Sequence, residues 1–238
     1  MNNAAATLSD RFSAWYAHES QTTNYDIFTR LPALLFFGLV MTMEIVQINK
    51  AITNASGLEE IARLAKIASL SATFAVTAIF AALTVLRSKP VARSAGLMPR
   101  LVALFAVCFL FLTIPLVTRP ESVLGWDVLS ALLSTIGGVL TAMVVLRLGR
   151  SFSTMPEARK LVRTGAYAYI RHPLYLAEEL VMVGLFLQYR TLPVFLILVA
   201  QFGLQIMRMN YEEKVLREAF PEYDEYAKET ARIIPGVY

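Results

Sequence analysis

Cysteine, histidine and charged residues are all scarce in this chain of 238 residues. It contains one cysteine and two histidines, and 17% of its residues are charged, where an average soluble domain has about 25%. The single cysteine, Cys108, excludes a disulfide framework, a CxxC redox pair and a cysteine-based zinc site within one chain. The GxGxxG, P-loop, HExxH and GxSxG motifs are absent, so hydrolase and metal-dependent chemistry lose support. A scattered net charge of +4 is too small to predict nucleic-acid binding.

Long apolar runs are what the chain has in excess, because 56% of its residues are hydrophobic. A run of about 18 apolar residues is long enough to cross a bilayer as a helix. The runs cover residues 31–48, 65–86, 101–117, 123–148, 174–189 and 192–207. The sequence therefore predicts an all-α integral membrane protein with about six transmembrane helices.

The last two apolar runs are shorter than the others. At about 1.5 Å per residue, 16 residues reach only about 24 Å, against roughly 30 Å of hydrocarbon. We therefore expect 174–189 and 192–207 to form a short helical hairpin with Arg190 and Pro193 at its turn.

The polar segments between the runs suggest how the chain is organised. Residues 1–30 form a polar lead-in, 31–148 contain the first four helices, and 149–238 combine the hairpin with a basic segment and a tail. Short loops rich in Lys and Arg face the cytoplasm, and the loops after the second and fourth runs are of this kind. This predicts cytoplasmic termini, and a cytoplasmic position for 149–175 and 208–238, in an inner, plasma or endoplasmic-reticulum-type membrane.

The first unusual group of polar residues lies in the basic, aromatic stretch 158–180. Pro173 stands where a helix would begin, because proline at the first helical position loses no hydrogen bond. Arg171 and His172 then flank a helix N-terminus, whose N–H groups and partial positive charge favour an anion. The alternative is that they only anchor the helix at the level of the lipid headgroups.

A second group follows the last apolar run, at 208–220. Arg208 and Glu212 are four residues apart and share one helix face, whereas Glu213 points about 100° away. The guanidinium offers a rigid fork of donors to a carboxylate. The alternative is an ordinary surface ion pair on a helix.

Acidic residues within the apolar runs form the third feature. Glu44 interrupts the first run, and Glu178 and Glu179 stand near the start of the fifth. Because a charge at membrane depth is costly, each either lines a site or forms a structural hydrogen bond. The Gly137–Gly138 pair in the fourth run predicts close helix packing.

Taken together, these groups resemble the isoprenylcysteine carboxyl methyltransferase family and the related integral membrane phospholipid-type methyltransferases. The matching string is LVRTGAYAYIRHPLYLAEE, followed about 35 residues later by Arg208-x-x-x-Glu212 and then by the tail FPEYDEYAKETARIIPG. The resemblance covers roughly residues 147–238. It implies that 149–238 is the catalytic region.

The resemblance also implies S-adenosylmethionine as the methyl donor. The positions that match its cofactor-binding residues are Arg159, Lys160, Leu161, Val162, Tyr167, His172, Pro173, Leu174, Tyr175 and Glu212. Arg208 matches an arginine that faces the substrate and forms the expected catalytic pair with Glu212. Glu179 is a further candidate for the substrate site. No metal is implied.

Methyl transfer from a sulfonium needs mainly positioning and a desolvated nucleophile. The resemblance predicts the family's reaction, carboxyl O-methylation of a prenylcysteine-type substrate, in which Arg208 could orient the ionised carboxylate. Amine N-methylation of a phospholipid or thiol S-methylation are alternatives, and either would use Glu212 or Glu179 as the base. Two alternatives involve no methyl transfer: a non-catalytic membrane subunit or transporter, and a related sterol-reductase-like protein. The expected partners are membrane lipids and a lipidic or small apolar acceptor.

Overall fold

Helices account for nearly all the regular structure in the computed structural model, which describes residues 23–53, 60–121 and 123–236. Residues 1–22 of the predicted polar lead-in lie outside these ranges. The helices are α1 Thr23–Phe28, α2 Leu31–Thr53, α3 Glu60–Leu86, α4 Met98–Thr113, α5 Leu124–Leu148, α6 Pro173–Tyr189, α7 Leu192–Ala219 and α8 Tyr223–Glu229. The two-residue strands β1 Ala92–Arg93 and β2 Glu157–Ala158 pair antiparallel, with Ala92 opposite Ala158.

Four helical segments of the described ranges are long and apolar enough to cross a membrane. They are Tyr25–Thr53, Lys66–Leu86, Leu124–Ser151 and Leu192–Ala219. The all-α membrane fold is thereby confirmed, whereas the predicted count of six spans is not. The apolar segment of α4 and the whole of α6 are shorter than 18 residues.

The predicted hairpin exists, but its second helix is not short. Arg190 ends α6 in the left-handed conformation, with φ of 50°, and α7 begins directly afterwards with Pro193 in its first turn. Helix α7 then runs for 28 residues, about 42 Å, because no proline interrupts the chain between Pro193 and Pro221. The expectation of a short second helix was wrong, since the apolar run and the polar RxxxEE segment form one continuous helix that is long enough to cross a membrane.

Helices α5 and α6 approach closely because glycine stands on both of them. A Cβ atom at Gly137 would lie 2.7 Å from Val181 Cγ2 and 3.0 Å from the carbonyl oxygen of Ala177. On the other side, a Cβ atom at Gly184 would lie 2.5 Å from Ser134 Oγ. These contacts confirm the packing predicted from the glycine pair, and they fix which face of α6 points into the bundle.

Glu44 has a partner on the neighbouring helix. Its side chain is buried on α2 and accepts a hydrogen bond from Thr77 Oγ1 of α3, over 3.2 Å to Glu44 Oε1. Of the two roles considered for this acid, the structure shows the hydrogen bond between helices.

Replacing Gly137 by Ala should destabilise the protein by about 1–3 kcal/mol, because the added methyl group meets backbone atoms of α6 that cannot move independently. Gly138→Ala is the matched control, since nothing lies within 4 Å of a Cβ atom there. Thermal unfolding in detergent should show a lower Tm for Gly137→Ala than for the wild type, and no lowering of the Tm for Gly138→Ala. Equal Tm values would contradict this account of the packing.

Candidate active site

The start of α6 and the middle of α7 meet in a group of three polar side chains. The Tyr175 hydroxyl of α6 donates a hydrogen bond of 2.6 Å to Glu212 Oε1 of α7. Arg208 Nε lies 3.3 Å from the same oxygen, and its guanidinium stands 5.3 Å from the centre of the Tyr175 ring. Arg208 and Glu212 therefore share a face, as their spacing predicted, and Tyr175 fixes the position of both.

Glu213, the neighbour of Glu212, faces a different set of partners. His172 Nε2 lies 3.0 Å from Glu213 Oε1, and the guanidinium Nε atoms of Arg171 and Arg232 lie 3.3 and 3.0 Å from it. Arg217, on the next turn of α7, reaches the other oxygen at 3.3 Å. The positive N-terminus of α6, where the sequence indicated that an anion could bind, thus contacts a carboxylate of the chain itself.

The C-terminal tail is also held to this region by backbone bonds. Ile170 and Ala231 form a parallel bridge, and the amide groups of Arg171 and His172 donate to the carbonyl groups of Ala231 and Arg232, at 2.8 and 3.1 Å. The hydroxyl of Tyr226, in α8, donates to the carbonyl oxygen of Tyr167 at 2.7 Å. The tail therefore closes one side of the site.

These segments enclose a pocket with mixed lining, which we name the polar cavity. Its lining includes almost every position expected to bind the cofactor, namely Arg159, Lys160, Leu161, Val162, Tyr167, His172, Leu174, Tyr175 and Glu212. Pro173 does not line it, although it is buried as the first residue of α6. Arg208 lines it as well.

The Arg159 guanidinium is held by a cluster of ion pairs on the α1 side of the cavity. Its Nη2 atom lies 2.7 Å from Glu157 Oε2, and its Nε donates to the carbonyl oxygen of Ser88 at 2.7 Å. Asp26 of α1 and the buried Arg87 also belong to this cluster. Burial lowers the pKa of Arg87 to about 10, against the opposing effect of Glu157. The Arg159 side chain thus has structural partners and reaches the cavity wall from among them.

Two tyrosines of the tail line the polar cavity and were not singled out from the sequence. Tyr226 contacts Tyr167 as described, and the hydroxyl of Tyr223 is buried without a hydrogen-bond partner among the described residues. Burial, helped by the nearby Glu213, raises the pKa of Tyr223 above its ordinary value, so this hydroxyl stays protonated and can donate. The sequence signal that could have identified these two tyrosines is the aromatic and acidic pattern FPEYDEY.

A second pocket lies deeper in the helix bundle, and we name it the apolar cavity. Its lining comes mainly from α2, α3, α4, α6 and α7 and is rich in Phe and Val, with three threonines among its polar residues. Phe152, Leu174 and Arg208 line both cavities, so the two meet at the Arg208–Glu212 pair. This arrangement could hold a polar molecule and an apolar molecule on the two sides of one residue.

Polar side chains continue from that pair into the apolar cavity. Gln201 and Gln205 precede Arg208 by seven and three residues, so all three share the face of α7 that carries Glu212. Gln205 Nε2 donates to Glu178 Oε2 of α6 at 3.2 Å. Gln201 and Gln205 were not singled out from the sequence as site residues. The signal for them was their spacing of four and three residues from one another and from Arg208.

The neighbouring acid Glu179 occupies a different position. It lines neither cavity, and its Oε1 atom is buried without a hydrogen-bond partner in the described part of the chain. Of the two adjacent glutamates, Glu178 is the one that reaches the apolar cavity, so the assignment of Glu179 to the substrate site stays an untested prediction.

Comparison with known proteins shows what the region around this site is similar to. The model of the isoprenylcysteine carboxyl methyltransferase family matches residues 130–218. The chain is similar to the nickel-cobalt-cadmium resistance protein NccN of Alcaligenes xylosoxydans xylosoxydans, at 33% identity over 115 residues, which is 46% of this chain and 54% of NccN. It is also similar to the cobalt-zinc-cadmium resistance protein CzcN of Cupriavidus metallidurans, at 34% identity over 104 residues, 43% of this chain and 44% of CzcN. The chain thus matches about half the length of these curated relatives.

Replacing Glu213 by Ala should destabilise the protein by about 3 kcal/mol, because it leaves the cationic groups around a nearly buried carboxylate without their partner. Hydrogen exchange should increase in residues 223–232. The control is Arg217→Ala, which removes the most exposed partner and should cost about 0–1 kcal/mol. Equal effects of the two variants would show that Glu213 does not hold the tail.

Proposed function

We propose that this membrane protein transfers a methyl group from S-adenosylmethionine to a lipidic or otherwise apolar acceptor, because residues 130–218 match the model of the isoprenylcysteine carboxyl methyltransferase family. The observation that carries the proposal is the meeting of a polar and an apolar cavity at Arg208. The polar cavity suits the polar methyl donor, and the apolar cavity suits the apolar acceptor.

The residues of the polar cavity fit S-adenosylmethionine. Leu161, Val162 and Leu216 offer apolar contacts to an adenine ring, and Glu212 offers carboxylate oxygens to hydroxyl or ammonium groups. The buried hydroxyl of Tyr223 is a donor without a partner among the described residues, so a ligand that accepts a hydrogen bond would satisfy it. When bound, the cofactor supplies an electrophilic methyl group on a sulfonium.

The contribution of the chain is to position and desolvate the reactants. Tyr175 holds Glu212, and Glu212 holds Arg208, at the boundary of the two cavities. Phe152 and Leu174, which line both cavities, supply apolar surface at the same boundary and exclude water from it. Holding two reactants in line can contribute roughly 7–11 kcal/mol to catalysis, so no covalent intermediate with the protein is needed.

Carboxyl O-methylation is the reaction that the family's name describes, and the sequence assigned the carboxylate to Arg208. In the structure Glu212 already contacts this guanidinium at 3.3 Å, so a carboxylate acceptor would have to share Arg208 with it. We therefore define the acceptor by its apolar body, which the lining of the apolar cavity supports. We further propose that the polar cavity opens on the cytoplasmic side, which the basic loops favour.

Metal resistance appears in the names of the two relatives but enters no step of this proposal. Within the described ranges, no group of three or more His, Cys, Asp or Glu side chains is placed to hold a metal ion.

Donor binding is the direct test of this function. Calorimetry on the detergent-purified chain should detect S-adenosylmethionine binding, and Glu212→Ala should weaken it about tenfold or more, because a charged hydrogen-bond partner is lost. Tyr223→Phe should weaken it by a smaller factor, because only the unpartnered hydroxyl is removed.

Glu218→Ala is the control, since this exposed glutamate lies on the same helix and outside the polar cavity. Its binding should equal that of the wild type. Absence of donor binding by well-folded wild-type protein would reject the methyltransferase and favour a non-catalytic subunit or a transporter.

A further inference from the structure

The polar end of the apolar cavity contains hydrogen-bond acceptors that have no partner in the described part of the chain. Gln201 uses its amide nitrogen to donate to the carbonyl oxygen of Ala106 at 3.0 Å, and Gln205 uses its own to donate to Glu178. The Oε1 atoms of both glutamines are buried and have no hydrogen-bond partner among the described residues, and the same holds for Arg208 Nε and Thr154 Oγ1, which line this cavity as well. Both glutamine side chains are at least 95% buried, so water in bulk does not reach them.

Unsatisfied acceptors inside a helix bundle are costly, and they cluster here on one wall of one cavity. A buried amide oxygen without a donor costs about 1–3 kcal/mol. Two such oxygens line the same cavity, and the carboxylate of Glu178 lies beside them. A ligand whose head group donates hydrogen bonds would satisfy both glutamine oxygens and could also donate to the carboxylate of Glu178.

The charges at this place favour the same kind of ligand. Arg208 is the only cationic residue among the described residues that line the apolar cavity, and Glu212 already contacts it. With Glu178 the group contains two carboxylates and one guanidinium. A head group with a positive charge would balance this excess of negative charge, whereas a carboxylate would increase it.

Resting on the proposed function, we propose that the methyl acceptor is an apolar molecule with an amine head group, and that Glu178, Gln201 and Gln205 form the subsite for this amine. An ammonium group donates up to three hydrogen bonds, one for each of these residues, whereas a thiol or hydroxyl donates one and a carboxylate none. The apolar body of the acceptor occupies the remainder of the cavity, against side chains such as Phe37, Phe80 and Met182.

The reaction at this subsite is balanced without a further reactant. The ammonium first gives one proton to the carboxylate of Glu178, which acts as the base. The lone pair of the resulting amine forms the N–C bond while the C–S bond of the donor breaks, and the electrons of that bond stay on sulfur as a neutral thioether. The methylated product leaves as an ammonium ion, and the proton on Glu178 returns to solvent.

Two probes with the same apolar body separate an amine head from a carboxylate head. S-farnesylcysteine methyl ester has a free amine and a blocked carboxyl group, whereas S-farnesylthiopropionic acid has a free carboxylate and no amine. Binding of each to the full chain in detergent is measured by calorimetry without the donor. Transfer of a tritiated methyl group from S-adenosylmethionine is measured separately.

We expect the amine probe to bind at least about tenfold more tightly than the acid, because it alone satisfies the acceptors of the subsite. It should also be the probe that becomes methylated, on nitrogen. Equal binding of the two probes, tighter binding or methylation of the acid, or binding of neither probe would overturn the proposal. If the donor fails to bind, the proposed function fails, while the preference between the probes is still measured because the donor is absent from that experiment.

Glu178→Gln and Glu179→Gln form a matched pair of variants. The first removes the charge of the subsite while keeping its shape, so the preference for the amine should fall about tenfold, with donor binding unchanged. The second changes the adjacent glutamate, which lines neither cavity, and should keep the preference. An unchanged preference in Glu178→Gln, or an equal loss in both variants, would overturn the role of Glu178.

Discussion

One nearly buried carboxylate, that of Glu213, joins the three segments from which the site is built. It belongs to α7, and its partners are Arg171 and His172 at the start of α6 and Arg232 in the tail. A carboxylate in such a place is stable only when it is paired and hydrogen-bonded. Because its partners come from separate parts of the chain, the charge is satisfied only when all three segments are in place. Tyr167, Tyr175 and the tail tyrosines are then positioned around the polar cavity.

The site separates two environments within a few residues of one helix. Glu212 faces the polar cavity, Arg208 lies at the boundary, and Gln205 and Gln201 face the apolar cavity. Spacings of four and three residues keep these side chains on one face of α7, so a single continuous helix spans both environments. This continuity explains why α7 must be longer than its apolar run, and it gives a polar donor and an apolar acceptor a common point of contact.

Sequence patterns predicted the elements better than they predicted the partners. The apolar runs predicted the long helices, Pro173 and Arg190 marked the ends of α6, and the RxxxE spacing predicted the shared face of Arg208 and Glu212. The expected cofactor positions from Arg159 to Tyr175 are brought to one cavity, apart from Pro173. The patterns gave no indication that Glu213 binds His172 and Arg232, because those contacts join residues that are 41 and 19 positions apart.

The choice between Glu178 and Glu179 shows most clearly what the sequence alone cannot determine. Local spacing determined by itself that both acids lie near the start of an apolar helix, and that Arg208 and Glu212 lie on one side of another. Only the tertiary structure decided that Glu178 faces the apolar cavity and that Glu179 does not. The physical reason is the rotation of α6 about its axis, which the close contacts of Gly137 with Val181 and of Gly184 with Ser134 fix. Helical periodicity sets the angle between neighbouring side chains, but packing against another helix sets which of them points inward.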